Sequence, residues 1–266
     1  MKFRVAPAFP AFPAATTAAV ALLLLALSGH PAGAAEDQAA PSTTTPAVEI
    51  PATPPDEKEG FVSIFDGTLK NWEGDPVYWR AENGVLTGEV TPETLLKQNS
   101  FIVWRGGELA DFELTADYRV SAQGNSGINY RSIDVTGVKY AMEGYQDDID
   151  GQDAWSGQNY EERGRTFLAY RGQSVVLSPG EKPQVVKELG DRAELQKKVL
   201  KEDWNHVHIV ARGNRLQHFT NGVLMAEVVD NDPDKRRLSG LLGVQVHVGP
   251  PMKIEFKNIR LKKLGK

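Results

Sequence analysis

The sequence predicts an all-β protein, a jelly-roll β-sandwich of two antiparallel sheets with one short helix. Two observations support this prediction. Apolar and polar residues alternate along many short runs, which is typical of strands with one buried face. Gly and Asn separate these runs at positions where a tight turn needs a positive φ. Segments with helical periodicity are scarce.

The clearest strand is Asp111–Val120, in which every second residue from Phe112 onward is apolar. Residues 205–230 read as two or three strands separated by Gly213-Asn214 and Asn221-Gly222 turns. Further strands are predicted around Asn83-Gly84, over 238–249 and over 253–264. The one helix is predicted after Asp191, an N-cap residue with Glu194 three positions on.

The N-terminus has the order of a secretory signal peptide. Lys2 and Arg4 precede a short apolar run, residues 14–29, and the small residues 32–34 form a cleavage site. Residues 1–35 are therefore predicted to be removed on export to the periplasm or exterior of a bacterium. An uncleaved N-terminal anchor is the alternative interpretation.

Residues 36–59 are rich in Pro, Thr and Ala and poor in large apolar side chains, so they are predicted to form a flexible linker. Residues 60–266 are predicted to form one domain. The chain has no Cys, which excludes thiolate metal sites and Cys nucleophiles. Its net charge is −5 and no basic stripe is present, so nucleic acid is not an expected partner. No second apolar stretch is long enough to span a membrane.

An acidic stretch, Tyr140–Trp155, is the first candidate site. Strand periodicity places Gln146 and Asp148 on one face, where an amide beside a carboxylate suits paired sugar hydroxyls, and Gly144 would leave space above them for a ligand. An EF-hand alignment fails because its twelfth position is Gly157. A looser calcium site, a solvated loop and a solvent-facing edge strand remain alternatives.

Two other runs offer polar residues at strand spacing. After a turn predicted at residues 125–127, Asn129 and Arg131 share one face. Gln245 and His247 share the wet face of a strand whose Val244, Val246 and Val248 are expected to be buried. His247 is a candidate acid, base or metal ligand, although a lone His of this kind more often packs or forms hydrogen bonds. For Arg131, a surface salt bridge is the alternative.

Aromatic side chains near polar, Gly-rich segments are candidate platforms for sugar rings. Trp155 is the best of them because it follows the acidic stretch, and Tyr160 lies close by. Trp79 and Trp104 are more simply explained as core residues of strands.

Several segments together resemble the 3-keto-disaccharide hydrolase domain family. They include "GFVSIFDGTLKNWEG", "DFELTADYRV", "NSGINYRS", "GYQDDIDG", "YEERGR" and "VQVHVGPPMKIEFKNIRLKKL". They occur in the family's order between about Gly60 and Leu264. The resemblance implies a concanavalin A-like jelly roll and cleavage of glycosides already oxidised at C3. Asp147 departs from the family pattern, which leaves calcium or an altered specificity open.

The resemblance and the strand periods together give a set of expected site residues. Asp148, His247 and Arg131 are expected to be catalytic, with Asp148 or His247 as base and Arg131 or a cation stabilising an enolate. The expected substrate-binding residues are Asn129, Gln146, Gln245, Trp155, Tyr160 and Glu161. Glu161 enters only through the "YEE" segment of the family pattern.

The sequence thus predicts an exported protein that acts on an oligosaccharide or an oxidised disaccharide. The favoured function is cleavage of 3-keto-glycosides by elimination or hydrolysis. A divalent cation, calcium or a transition metal, is left open, and no metal ligand is assigned. The alternatives are a non-catalytic carbohydrate-binding module and a structural domain displayed on the cell envelope.

Overall fold

The alternating runs form strands that pack into two facing sheets, in a computed structural model that describes residues 60–265. The predicted signal peptide and linker lie outside the described residues. The strands are β1 (Val62–Ser63), β2 (Trp72–Glu73), β3 (Trp79–Glu82), β4 (Val85–Val90), β5 (Ser100–Leu109), β6 (Phe112–Val120), β7 (Asn125–Asp134), β8 (Met142–Asp150), β9 (Asn159–Glu162), β10 (Thr166–Ala169), β11 (Gln173–Leu177), β12 (Gln184–Glu188), β13 (Asn205–Arg212), β14 (Arg215–Thr220), β15 (Val223–Asp230), β16 (Gly240–Val246) and β17 (Met252–Lys263).

The larger sheet has the strand order β12-β11-β15-β14-β13-β6-β17-β4-β3, with β1 also paired to β17. The smaller sheet has the order β10-β9-β8-β7-β16-β5-β2. Among the described strands, the pairs are antiparallel except for β11 and β15, which run parallel. The jelly-roll prediction is confirmed, and no helix of residues 60–265 has the length and apolar character to cross a membrane.

The core lies between the inner faces of the two sheets. Alternate residues of β6, from Phe112 to Val120, are buried there as predicted. Tyr130 and Tyr145 extend from the smaller sheet into the same core. The predicted core role of Trp79 and Trp104 is confirmed as well. The inner faces therefore fix which side chains of each strand face outward.

The single helix of residues 60–265, α1 (Arg192–Gln196), begins where the sequence indicates. Asp191 Oδ1 accepts hydrogen bonds from the backbone N–H groups of Ala193 and Glu194, each at 2.9 Å. These bonds satisfy two donors that have no partner within the helix. The N-cap prediction is confirmed.

Three local expectations are wrong. The turn predicted at residues 125–127 is already strand, because the chain turns earlier, where Gly124 N donates to Ser121 O. Val248 is 37% exposed, since β16 ends at Val246. Gly144 does not open space for a ligand, because a Cβ there would lie 2.4 Å from Ser132 Oγ.

Candidate active site

Three adjacent strands of the smaller sheet present polar residues on the face that points away from the core. Ile128 of β7, Tyr145 of β8 and Val244 of β16 point inward. Their neighbours Asn129, Gln146, Asp148 and Gln245 therefore point outward. The register places Asn129 opposite Gln146. Strand periodicity alone is enough to bring these four side chains together.

The outward side chains form a chain of hydrogen bonds. Gln245 Nε2 donates to Gln146 Oε1 at 3.3 Å, and Gln146 Nε2 donates to Asp148 Oδ1 at 2.7 Å. The Gln146 side chain crosses Gly127, where a Cβ would lie 2.5 Å from its amide carbon. A residue larger than Gly at position 127 would therefore displace Gln146.

Three buried polar atoms near these hydrogen bonds have no protein partner within residues 60–265. They are both amide atoms of Asn129 and Oε1 of Gln245. Buried polar groups are almost always hydrogen-bonded. Asn129 and Gln245 are fully buried, so these unpaired atoms are suited to receive a buried water molecule.

A pocket of about 320 Å³ opens over these residues. Its size is in the range of small-molecule sites, which is roughly 300–1,000 Å³. One side is polar and the other is aromatic. The lining residues are Asn99, Asn125, Gln146, Asp148, Trp155, Tyr160, Glu162, Phe167 and His247.

Asp148 is the most perturbed carboxyl group of the pocket lining. Burial raises the pKa of Asp148 to about 8, the hydrogen bond from Gln146 opposes this rise, and the nearby Glu162 and Asp150 carboxylates add to it. Only 8% of Asp148 is exposed. At neutral pH this carboxyl group is mainly protonated, so it can donate a hydrogen bond or a proton.

Glu162 is a second carboxyl group in the pocket, two residues beyond Tyr160 on β9. Burial raises its pKa, and a hydrogen bond from Asn99 opposes the rise. Asn99 Nδ2 lies 3.3 Å from Glu162 Oε1, while Asn99 Oδ1 accepts a hydrogen bond from Val248 N at 3.0 Å. Asn99 therefore connects Glu162 to the segment that carries His247.

His247 follows the last residue of β16 and lies at the edge of the pocket. Its Nδ1 is 2.5 Å from the carbonyl oxygen of Val248. A carbonyl oxygen can only accept, so Nδ1 carries the proton and Nε2 keeps a lone pair when the ring is neutral. The tautomer is thus the one that leaves Nε2 able to accept a proton.

The aromatic side of the pocket consists of Trp155, Phe167 and Tyr160. Trp155 stacks on Phe167 with ring centroids 5.2 Å apart, and Tyr160 meets Phe167 edge-on at 5.1 Å. Trp155 is 38% exposed. A pocket with one aromatic side and one hydrogen-bonding side matches a sugar ring, which has both C–H and hydroxyl surfaces.

A sequence match over almost the whole described domain identifies the family. Residues 60–262 match the family model of the 3-keto-alpha-glucoside-1,2-lyase-like domain. The chain belongs to this family. The resemblance seen in the sequence motifs is confirmed.

Solved structures share the fold of this lyase-like domain at low sequence identity. A proposed glycosyl hydrolase from Parabacteroides distasonis aligns with a TM-score of 0.52 at 19% identity, over 77% of this chain and 99% of its own. A second one from the same organism aligns with a TM-score of 0.52 at 22% identity, over 79% and 96%. None of the curated proteins is a significant match.

In this lyase-like domain, Arg131 does not line the pocket. A register shift follows Tyr130, and Arg131 itself has a φ of 46°. This bulge turns its side chain away from Asn129. The buried guanidinium donates to Ala110 O, Gly213 O and Asp111 Oδ1 at 2.6–3.0 Å. The expectation that Arg131 lies beside Asn129 is therefore wrong, and these contacts leave it no access to a ligand.

Glu161 also lies outside the pocket, because it alternates with Tyr160 and faces the other way. Its carboxylate accepts from Arg165 Nε at 2.7 Å, and Arg165 also pairs with Asp230 at 2.6 Å. The expected position of Glu161 is wrong. Trp155 and Tyr160 do line the pocket, as do Gln146, Asp148 and His247. The other two expected substrate-binding residues, Asn129 and Gln245, are fully buried and do not line it.

The acidic stretch divides its carboxylates among three surroundings. Asp147 points into the core, where its Oδ1 lies 3.3 Å from His218 Nδ1. Burial raises the pKa of Asp147 and lowers that of His218 to about 3. Asp150 ends β8 and Asp153 lies in the following loop, and both are buried, so the solvated-loop alternative does not describe them. Within residues 60–265, no group of three or more His, Cys, Asp or Glu residues is arranged to hold a metal ion.

Four residues of the pocket lining, Asn99, Asn125, Glu162 and Phe167, are not among those that the sequence predicts. Glu162 and Asn125 were within reach of the strand period, since Glu162 lies two positions after Tyr160 and Asn125 four before Asn129. Asn99 and Phe167 come from the neighbourhood of other strands, β5 and β10, and no local pattern marks them. Only the folded sheet brings them to the site.

Proposed function

We propose that this domain cleaves 3-keto-α-glucosides by elimination across C1 and C2. The observation that carries the proposal is that Asp148 and His247 line the same sugar-sized pocket. Asp148 is mainly protonated at neutral pH, and the tautomer of His247 leaves a lone pair on Nε2. Membership of the lyase-like family supports the substrate class.

The chemistry follows from the ketone. A carbonyl group at C3 acidifies the hydrogen on C2, so a base of moderate strength can remove it. The electron pair of that C–H bond forms the C1=C2 double bond, and the bond between C1 and the leaving oxygen breaks. The leaving oxygen takes a proton from an acid. The products are an alcohol and a 2-hydroxy enone of the sugar, and no water is consumed.

In this proposal His247 Nε2 takes the proton from C2 and Asp148 gives one to the leaving oxygen. Gln146 orients Asp148 through its 2.7 Å hydrogen bond. Asn99 and Asn125 offer amide donors to the enolate oxygen, the role that the sequence predicts for Arg131. Trp155 and Tyr160 contact the C–H face of the ring.

The main experiment uses 3-keto-α-glucosides and their unoxidised parents, with and without divalent ions, and identifies products by mass. Asp148→Asn and His247→Gln should each lower turnover by about 10²–10⁴-fold, the usual effect of losing a positioned acid or base. Asp147→Asn is the matched control, since Asp147 is adjacent but faces the core, and it should stay near the parent rate. Deuterium at C2 should slow the reaction.

A second candidate is a non-catalytic carbohydrate-binding module. The aromatic side of the pocket and the amide groups of Asn99 and Asn125 in its lining favour recognition of a sugar without any chemistry. Binding of both oxidised and unoxidised sugars without turnover would select this function. Turnover that survives Asp148→Asn within a few-fold would instead reject Asp148 as the acid.

We also propose that the chain is exported and that residues 1–35 are removed. The order of positive charge, apolar run and small residues supports this. Mass spectrometry of the protein from an expressing bacterium should show a mature chain that begins near Ala35 or Glu36. An intact Met1 start on membrane-bound protein would favour an anchor.

A further inference from the structure

A second depression lies beside the candidate active site. It has a volume of about 570 Å³ and runs between the β10–β11 turn, which includes Tyr170, and the segment from Glu188 to Arg192 that leads into α1. We call it the side groove. None of its lining residues belongs to the pocket that holds Asp148.

The aromatic side of the pocket continues into the side groove. Phe167, which stacks on Trp155 in the pocket, also stacks on Tyr170, with ring centroids 5.0 Å apart and planes 25° apart. Trp155 and Tyr170 are each 38% exposed. Three rings in contact thus give one continuous apolar surface from the catalytic carboxyl group to the groove.

Two arginines hold this surface in place. Arg192 lies over the rings of Trp155 and Tyr170, at 5.8 and 5.4 Å, and donates to Ala154 O at 3.0 Å. The buried Arg171 donates to Ser156 O and Asp153 O, each at 2.9 Å. The loop that carries Trp155 is therefore fastened to the groove. Binding need not order it, which lowers the entropic cost of recognition.

Resting on the proposed function, we infer that the side groove binds the leaving-group sugar of the substrate, a neutral hexopyranose ring. The ring packs on Tyr170, and its hydroxyls reach Gln173, Glu188 and Asp191. Asp191 uses Oδ1 for both bonds that cap α1, so Oδ2 is available to a hydroxyl. Carboxylates and Arg192 line the groove together, which suits a neutral sugar better than an acidic one. The preferred substrate is then a 3-keto-disaccharide or longer glycan.

The test compares kcat/KM for a methyl 3-keto-α-glucoside and for a 3-keto-α-linked disaccharide. The parent should prefer the disaccharide by at least tenfold. Tyr170→Ala should remove about 3- to 10-fold of that preference, the equivalent of about 0.5–1.5 kcal/mol for one aromatic contact. Its loss on the methyl glycoside should be smaller than its loss on the disaccharide, and Tyr170→Phe should keep the preference. Trp204→Ala is the matched aromatic control, because Trp204 lies under Arg119 and Lys257 of the larger sheet.

Equal efficiency of the parent on both substrates, or an equal loss on both in Tyr170→Ala, would overturn the inference. If neither substrate is cleaved, the proposed function fails and the groove is tested by calorimetric binding of the unoxidised disaccharide and of methyl α-glucoside. Weaker binding of the disaccharide alone in Tyr170→Ala supports the subsite. Unchanged binding of both rejects it.

Discussion

At the scale of single residues, Asp148 shows how a buried carboxyl group opposes stability. Burial keeps it protonated in the folded chain up to a pKa of about 8, whereas an unfolded Asp ionises near its model value of 3.8. Between these values the folded state binds the extra proton. The contribution of Asp148 to stability is therefore complete below about pH 4 and is lost as the pH rises toward 8.

Asp148→Asn should consequently be more stable than the parent at alkaline pH, although its proposed turnover should be lower. Asn cannot ionise, so the variant escapes a penalty that grows by at most about 1.4 kcal/mol of unfolding free energy per pH unit. Thermal melts between pH 4.5 and 8.5 should show a difference in Tm that widens with pH. Glu202→Gln, a change at an exposed position, is the control and should track the parent. A difference that does not vary with pH would mean that Asp148 is already ionised.

Arg131 illustrates a structural residue in a position where the sequence indicates a catalytic one. Lys at this position would keep the charge, but its three donors share one nitrogen and cannot reach acceptors spread around the planar guanidinium, at Ala110, Asp111 and Gly213. Arg131→Lys should lower the unfolding free energy by about 1–3 kcal/mol, the usual cost of leaving a buried hydrogen-bonding group unpaired. Its kcat, corrected for folded protein, should equal that of the parent. A fall in kcat without a fall in Tm would return Arg131 to the active site.

The strand period predicts the outward side chains of β8 and β16 correctly, because Gln146, Asp148 and Gln245 lie on regular stretches. It fails at Arg131, where a bulge shifts the alternation by one residue, and every side chain beyond such a shift changes face. The family pattern in "YEE" contains two carboxylates, and the face of Tyr160 selects Glu162 over Glu161. Glu162 lies two positions after Tyr160, so the strand period alone places these two side chains on the same face.

At the scale of elements, the loop between β8 and β9 depends on Asp150. Its carboxylate accepts from the backbone N–H groups of Gln152, Ala154 and Trp155, at 3.1, 2.8 and 3.3 Å. A carboxylate with several backbone donors orders a loop much as an N-cap residue orders a helix. The acidic stretch therefore builds the loop that carries Trp155, and the sequence alone does not separate this role from cation binding.

Asp150→Ala should release this loop. Without the three hydrogen bonds, Trp155 loses its fixed position, so KM for a 3-keto-disaccharide should rise several-fold while kcat falls less. Limited proteolysis should cut the variant between residues 151 and 158 faster than the parent. Asp153→Asn is the comparison. The backbone oxygen of Asp153 accepts a hydrogen bond from Arg171, and its carboxylate lies 3.8 Å from Lys201 Nζ. Restoration of KM by added calcium would instead identify a metal loop.

The sequence predicted hairpins better than it predicted isolated short strands. The β13–β14 and β14–β15 connections lie at the predicted Gly213-Asn214 and Asn221-Gly222 turns. The strands β9, β10 and β12 have four or five residues each, too few for a clear period, and β12 is exposed along its length. The parallel pair β11–β15 joins segments about 50 residues apart, and no local signal reveals such a pairing.

At the scale of the whole molecule, β17 occupies a central position in the larger sheet. It pairs with β6 on one side and with β4 and β1 on the other. Removing residues 252–266 would separate β1, β3 and β4 from the rest of that sheet. Such a chain should show no cooperative unfolding transition.

A chain that begins at residue 60 should keep the Tm and kcat of the longer form, and a lower Tm would place the domain boundary before residue 60.

The central place of β17 has a consequence for when this protein can fold. During synthesis, β17 is made only about 140 residues after β6, the strand with which it pairs. Sheets built from contacts so distant in sequence close slowly, in about milliseconds to seconds. The growing chain therefore stays without its finished core until the last strand has left the ribosome. Such late closure of the larger sheet is compatible with the export that we propose for this chain.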